Sequence, residues 1–197
     1  VGSGSVEKVG TGTLELSGNS SLNGPVTVTA GTLKVSGALN NTGVAVQAGG
    51  TVSGGGMING LLTVADNGHL AGASGRTLTA GTITLTPNAN VDVALASPFT
   101  GNTPLFKSNG NLTLDGKLNI TDAGGLGTGV YRLFEYSGSM TNTLLNYGPL
   151  PAALIGSTLG IQLASVGEVN LVVSSPNRNV QFWNGASMFP SGTVQGG

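Results

Sequence analysis

The chain has 197 residues, of which 35 are glycine, 39% are hydrophobic and only 8% are charged. Seven Lys and Arg against eight Asp and Glu leave a formal charge of −1. Seven scattered cations make no basic stripe for nucleic acid or for an acidic membrane surface, so both classes of partner are excluded. Glycine with so little charge would point to disorder if the apolar residues were not regularly spaced, and here they are.

Cysteine is absent. That rules out a disulfide framework and a thiolate zinc site, and it suits passage through an oxidising compartment. No run approaches about 18 consecutive apolar residues, so no transmembrane helix is expected. The opening VGSGSVEKVG has no charged start followed by an apolar run. Any export signal is therefore expected outside these residues.

Taken along the chain, apolar segments of three or four residues alternate with Gly, Asn and Ser, and Thr recurs throughout. Glycine breaks helices, and Thr and Val favour strands, so the chain reads as almost all β. Strands are expected from Val26, Val44 and Leu62, at intervals of 18 and 18, with Val28, Val46 and Val64 in the same register. Leu33, Val52 and Leu70 are spaced 19 and 18, and Leu39 and Ile58 are 19 apart. Corners are expected at Gly31, Gly49 and Asn67. Ile83 and Leu85, then Val91 and Val93, supply a further register.

Three short strands in every period of this length are the pattern of a solenoid. The expected fold class is all-β: a parallel β-helix with about 18–20 residues per coil and three sheets. Alternation along each strand points Val26 and Val28 inward with Thr27 outward, and Val44 and Val46 inward with Ala45 outward. A hairpin meander or sandwich is the rival, given Asn23-Gly24, Asn59-Gly60, Asn67-Gly68, Asn109-Gly110 and Asn184-Gly185. The strict near-18 interval favours coils.

Residues 1–98 are expected to form the regular coils. After Pro98 aromatics appear, as Phe99, Phe106, Tyr131, Phe134, Tyr136 and Tyr147, and the period loosens. Residues 99–176 are expected as less regular, bulkier terminal coils or a cap, since an open solenoid end exposes strand edges and bare core. In GVYRLFEYSG, alternation puts Tyr131, Leu133 and Glu135 on one face and Arg132, Phe134 and Tyr136 on the other. Residues 177–197, with Trp183, read as a linker or the start of a following unit.

From Gly10 to Gly37, GTGTLELSGNSSLNGPVTVTAGTLKVSG resembles the autotransporter-associated β-strand repeat of bacterial autotransporter passengers. Gly-Thr-Gly-Thr-Leu, Leu-Ser-Gly-Asn and Val-Thr-Ala-Gly-Thr-Leu-Lys-Val carry the likeness. GKLNITDAGGLGTGVYRLFEYSGSM, VNLVVSS and VQFWNGA are similar to segments between such repeats. One departure is Ser21-Leu22-Asn23-Gly24-Pro25-Val26, where the family often has Tyr-Thr-Gly-Gly-Thr-Thr. The resemblance implies a right-handed coil and export through the outer membrane by a β-barrel translocator carried elsewhere in the parent chain. It further implies display on the cell surface as a stalk or adhesive face, meeting a host or cell-surface protein or glycan.

For chemistry the sequence offers little. Glycan-cleaving β-helices pair carboxylates on neighbouring coils. The acids are Glu7, Glu15, Asp66, Asp92, Asp115, Asp122, Glu135 and Glu168. Neither the step from Asp66 to Asp92 nor that from Asp92 to Asp115 is a clean coil interval, while Asp115 and Asp122 stand close enough to lie across one corner. Solvated turns account for them. His69 stands alone beside the turn Asp66-Asn67-Gly68 and cannot make an ordinary zinc site; no Gly-x-Ser-x-Gly elbow supplies a nucleophile for a triad. Calcium nonapeptides and a phosphate loop are both missing from the sequence.

Thr-x-Thr pairs, such as Thr27/Thr29 and Thr82/Thr84/Thr86, raise an ice-binding ladder, but the Thr27 position becomes Ala45 before Thr63. Strand preference explains them. Tyr131, Phe134, Tyr136 and Trp183 fit the end of a core better than a sugar platform. The expectation is a non-enzymatic passenger segment with no catalytic, cofactor-binding or metal residues, no cofactor and no membrane-inserted part. The alternatives are a polysaccharide-degrading β-helix and a segment that assists passenger folding during secretion.

Overall fold

Short β-branched segments separated by glycine cannot bury both faces alone, so each strand needs the coil above and the coil below it. The computed structural model describes residues 4–20, 22–40, 43–98, 103–142, 145–163 and 166–175. The first coil contains β1 (Val6–Lys8), β2 (Thr13–Leu16) and β3 (Asn19–Ser20). The second contains β4 (Val26–Val28), β5 (Gly31–Val35) and β6 (Ala38–Leu39). The third has β7 (Val44–Val46) and β8 (Gly50–Gly54), then β9 (Met57–Val64), which runs through its corner into the fourth coil. That coil adds β10 (His69–Ala73) and β11 (Leu78–Leu85), again a strand that turns the corner, and the fifth adds β12 (Asn90–Leu95) and β13 (Phe106–Ser108). The sixth contains β14 (Leu112–Leu114), β15 (Lys117–Asp122) and β16 (Gly129–Tyr136), and a seventh begins with β17 (Met140–Asn142) and β18 (Asn146–Tyr147).

Corresponding strands of successive coils pair in parallel, giving three ladders. The first runs β1-β4-β7-β9-β11-β14-β17, the second β2-β5-β8-β10-β12-β15-β18, and the third β3-β6-β9-β11-β13-β16. Because β9 and β11 serve two ladders each, the first and third are joined as one hydrogen-bonded sheet and the second stands apart. The all-β solenoid expected from the sequence is what forms. Val26 faces Val44, Val44 faces Leu62, Leu33 faces Val52 and Leu39 faces Ile58, all in the expected register. Val26, Val28, Val46, Leu62 and Val64 are fully buried, with Thr27 and Ala45 between them part-exposed.

The coils do not keep one length. The step by which Leu62 faces Ile83 stays close to the early interval. The steps by which Ile83 faces Leu112, and Leu112 faces Met140, are longer by about a third. The added chain enters mostly at one corner, between the second and third ladders. Residues 55–56 bridge it in the third coil and 74–77 in the fourth, and β12 and β13 are set further apart still in the fifth. Aromatics enter the core of these longer coils, where Phe106 and Phe134 are fully buried. Phe106 and Phe134 are in register and stacked at 5.0 Å between ring centroids, tilted by 36°. The Phe106 ring also lies where a side chain at Gly72 would go: a Cβ there would sit 2.6 Å from its Cζ.

Two departures from simple patterning stand out. Strict alternation places Phe134 opposite in face to Leu133, yet both are fully buried, since the pairing of β16 shifts between Arg132 and Phe134. Such a bulge turns the next residue back toward the core. The second is Lys8, which faces Val28 in an otherwise apolar column and is only 7% exposed. Its ammonium folds into the first corner and donates to the carbonyls of Val9, Gly10 and Ala30 at 2.8, 2.7 and 3.0 Å. Three acceptors replace the water that burial removes.

Positive φ is found at all three expected corners: 67° at Gly31, 80° at Gly49 and 60° at Asn67. Asparagine is the side chain best able to stand there. The ladder pairs Gly31 with Gly50, however, so Gly31 sits one residue out of step with the other two corners.

After β18 the strand direction changes. A 3₁₀ turn (Ala152–Leu154) buries Leu154, then β19 (Thr158–Gln162) and β20 (Glu168–Ser174) form an antiparallel pair. β20 runs antiparallel along the outer edge of β16. Residues 177–197, with Trp183, lie outside the described residues, as do Phe99 and Thr143.

Replacing Val46, fully buried with Val28 and Val64 to either side, by Asp is expected to cost several kcal/mol, because a charge would enter a dry column. Phe134→Ala is expected to cost about 3–5 kcal/mol. Thermal and urea melts followed by far-UV circular dichroism measure both. A Val46→Asp variant melting with the parent would refute the inward register.

Candidate functional site on the second ladder

Outward residues of the second ladder stack in two columns. One contains Thr13, Thr32, Thr51, His69, Asn90 and Lys117. The other contains Glu15, Lys34 and Ser53, then Ala71, Asp92 and Asn119. Because parallel coils repeat every ~4.8 Å, polar side chains in such columns reach the coil above and the coil below.

They do so here. Lys34 Nζ bridges to both oxygens of Glu15 at 3.2 Å, and Ser36 donates to Glu15 at 2.7 Å. The hydrogen bonds from Ser36 and Lys34, with the charges of Lys34 and Arg76 adding, hold the Glu15 carboxyl below its ordinary value. With the ring proton on Nδ1, His69 donates to Asp92 at 2.6 Å. Asn119 donates to Asp92 at 2.8 Å and to Asn90 at 3.2 Å.

Between these two clusters the column drops to Ser53 and Ala71, and a groove of about 280 Å³ opens. Its floor is Ser53, Gly54, Ala71, Gly72 and Ala73, with Lys34 and Arg76 at its rim. Glycine at 54 is required: φ is 126°, and a Cβ there would run into the Val35 carbonyl of the coil below. The stem of Arg76 crosses Gly55, where a Cβ would be 3.4 Å from that of Arg76. Arg76 is exposed, and among the described residues its guanidinium has no hydrogen-bond or ion-pair partner.

The remaining acids are also placed. Asp66 accepts from Thr86 and from the backbone and side chain of Asn88, one coil on, and these bonds hold its carboxyl below the ordinary value. Asp115 accepts from the Gly116 N–H, and Asp122 from those of Gly124 and Leu126. Glu135 pairs with Lys107 at 2.6 Å on the third ladder, and Glu168 with Arg132 at 2.7 Å across the β16–β20 pair. Glu7 lies on β1, opposite Thr27. Tyr131 is buried, its hydroxyl bonded to both the N–H and the carbonyl of Gly127, and burial pushes its phenol up. Among the described residues no three His, Asp or Glu side chains converge as a metal site.

Spacing alone could not find the His69–Asp92 contact, because a separation of 23 fits neither the shorter coils nor the longer ones. The two meet diagonally: His69 faces Asn90, and Asp92 is the next outward residue on that strand. A Thr column escaped in the same way. Thr27 gives way to Ala45, but Thr63, Thr84, Thr113 and Thr141 then follow in direct register on the first ladder. The longer coils after Leu85 hid that register.

These stacked parallel ladders over a shared apolar core define the class: a repetitive β-solenoid. Two comparisons narrow the class. The passenger-associated-transport-repeat family matches residues 6–35, from the first residue of β1 to the last of β5, which is one coil and the first half of the next. The chain is 43% identical over 83 residues to the adhesin BmaC autotransporter of Brucella suis biovar 1 (strain 1330). That alignment covers 41% of this chain and 2% of the relative, so the chain spans a small part of the length of the protein it resembles. Both matches make this chain similar to a stretch of autotransporter passenger.

Glu15 and Asp66 give a pH prediction. Their native carboxyls sit below the ordinary value, so the unfolded chain binds more protons there, and their stabilisation is present above the ordinary carboxyl range and lost as pH falls through it. Both carboxyls are solvent-exposed, so screening keeps the effect modest. The Glu15→Gln/Asp66→Asn double variant is expected to show a shallower loss of melting temperature on acidification than the parent. Equal slopes would show that these bonds do not stabilise the coils.

Proposed function

We propose that this passenger segment is a non-enzymatic rod that holds an adhesive face out from the cell surface. The observation that supports it is the unbroken pairing of coils over one apolar core, from β1 to β18. In such a stack nearly every interior backbone group is bonded to a neighbouring coil, which leaves a protease little to grip. The adhesin name of the relative agrees with a surface that binds rather than reacts. A β-barrel translocator in the parent chain and a host or cell-surface protein or glycan as ligand belong to the same proposal. So does the division into regular coils over 1–98 and less regular terminal coils or a cap-like segment over 99–176.

The antiparallel pair β19–β20 favours a second role alongside the first. Laid along β16, it covers one sheet edge beside the longer coils, where an exposed edge would invite mispairing. That region would then be a place where coils can begin to stack as the passenger emerges. Enzymatic cleavage of polysaccharide is the competing class, and it requires two convergent carboxylates. Glu15, Asp66, Asp92 and Glu135 are each bonded to other partners.

Two experiments test the proposal. The parent passenger displayed on cells is expected to resist trypsin and to raise adherence to host-cell monolayers above that of a passenger-deleted strain. Equal adherence would overturn the adhesive reading, and release of reducing sugar from polysaccharide would overturn the non-enzymatic one. Deleting residues 112–175 is expected to lower surface display and protease resistance; undiminished display would remove the folding role.

A further inference from the structure

We propose that the groove between Lys34 and Arg76 is a binding site for a carboxylate-bearing sugar of an acidic polysaccharide. This rests on the adhesive reading above and names its face and ligand class. At about 280 Å³ the groove lies at the small end of ligand sites, room for one ring of a longer chain rather than for a buried small molecule. Its floor carries no side chain larger than serine, so a flat ring can approach the sheet closely.

Charge selects the anion. Lys34 is already shared with Glu15 at 3.2 Å, whereas Arg76 hangs at the rim with no partner among the described residues. A planar guanidinium free on its outer edge matches a carboxylate with two parallel N–H···O bonds. Glu15, close enough to feel the charge of Arg76, lies on the far side of Lys34 from the floor and is held by Ser36 and Lys34. Asp92, at the opposite end, is occupied by His69 and Asn119. The cation facing the groove is thus Arg76, assisted by Lys34.

Position on the sheet selects a sugar over a peptide. Extended peptides bind by adding a strand at an open edge, using unpaired backbone groups. This groove lies on the face of the second ladder, where the backbones of β8 and β10 are paired to β5 and β12 on either side. What the face offers instead is side-chain hydroxyl and amide: Ser53 in the floor and Thr51 and Asn90 in the adjoining column. Ring hydroxyls can exchange hydrogen bonds with these in both directions.

The test titrates the ¹⁵N-labelled chain with a tetramer of galacturonic acid, with a matching tetramer of glucuronic acid, with their methyl esters, and with an acidic poly-glutamate peptide. Expected are shifts on β8 and β10 with a uronate, binding weaker by at least about tenfold for the ester and the peptide, and a similar loss for Arg76→Gln with its melt unchanged. Ala71→Trp, which fills the groove from its exposed face, is expected to lose binding as well. The site is overturned if neither uronate binds at millimolar concentration, if ester or peptide binds equally well, or if Arg76→Gln binds like the parent. Adherence of cells displaying the Arg76→Gln passenger separates the two levels. Full adherence removes this site and leaves the adhesive reading standing, whereas a parent passenger that never adheres removes that reading itself.

Discussion

Each coil must return, three times per turn, to within one strand spacing of the coil before it, about 4.8 Å. Everything else follows from that requirement. Inward side chains land on their counterparts, so Val26, Val44 and Leu62 become a column rather than three separate contacts, and each strand's backbone is satisfied only by its neighbours. Extra residues are tolerated only where they do not disturb the return, which is why the chain grows mostly at one corner. Outward side chains inherit the same stacking. Glu15 with Lys34, and Asp92 with Asn119, meet across coils because the backbone brings them there.

How much of this can be read from the residues depends on how constant the interval is. Over the early coils the interval barely changes, and Val28/Val46/Val64 and Leu33/Val52/Leu70 declare themselves. From Leu85 onward the interval lengthens by about a third, and periodicity no longer finds partners. Thr84 facing Thr113, or Phe106 facing Phe134, becomes visible only in three dimensions. The bulge in β16 hid Phe134 for a local reason, since a one-residue shift in pairing cancels the alternation that sequence reading relies on. Lys8 was hidden for a chemical one: hydropathy places lysine outside, yet three carbonyls of a tight corner receive its ammonium.

The candidate site was less legible than the fold. Its groove is made by what is small, Ser53, Gly54, Ala71 and Gly72, and small residues carry no functional signature in a chain with 35 glycines. Gly72 has its own reason, because Phe106 from the next coil occupies the space beside it. Gly72 thus serves the core, while the outward hollow comes from its small neighbours Ser53, Ala71 and Ala73. Arg76 belongs to the chain between the second and third ladders, the same corner at which the later coils lengthen.

Unequal coils also decide how the stack can be assembled without error. Where coils are alike, a slip by one whole turn costs little, because Val44 would meet in Leu62 or Val26 much the same neighbour either way. The lengthened coils remove that freedom. Phe106 needs the bare backbone of Gly72 beside it and the ring of Phe134 on the next turn. Moved one turn onward, its ring would meet Val93 where Gly72 now stands and would leave a hollow behind it, and both cost free energy. Such a mismatch works as an indexing notch: a uniform ribbon could wind up in several frames, and the aromatic coils admit one.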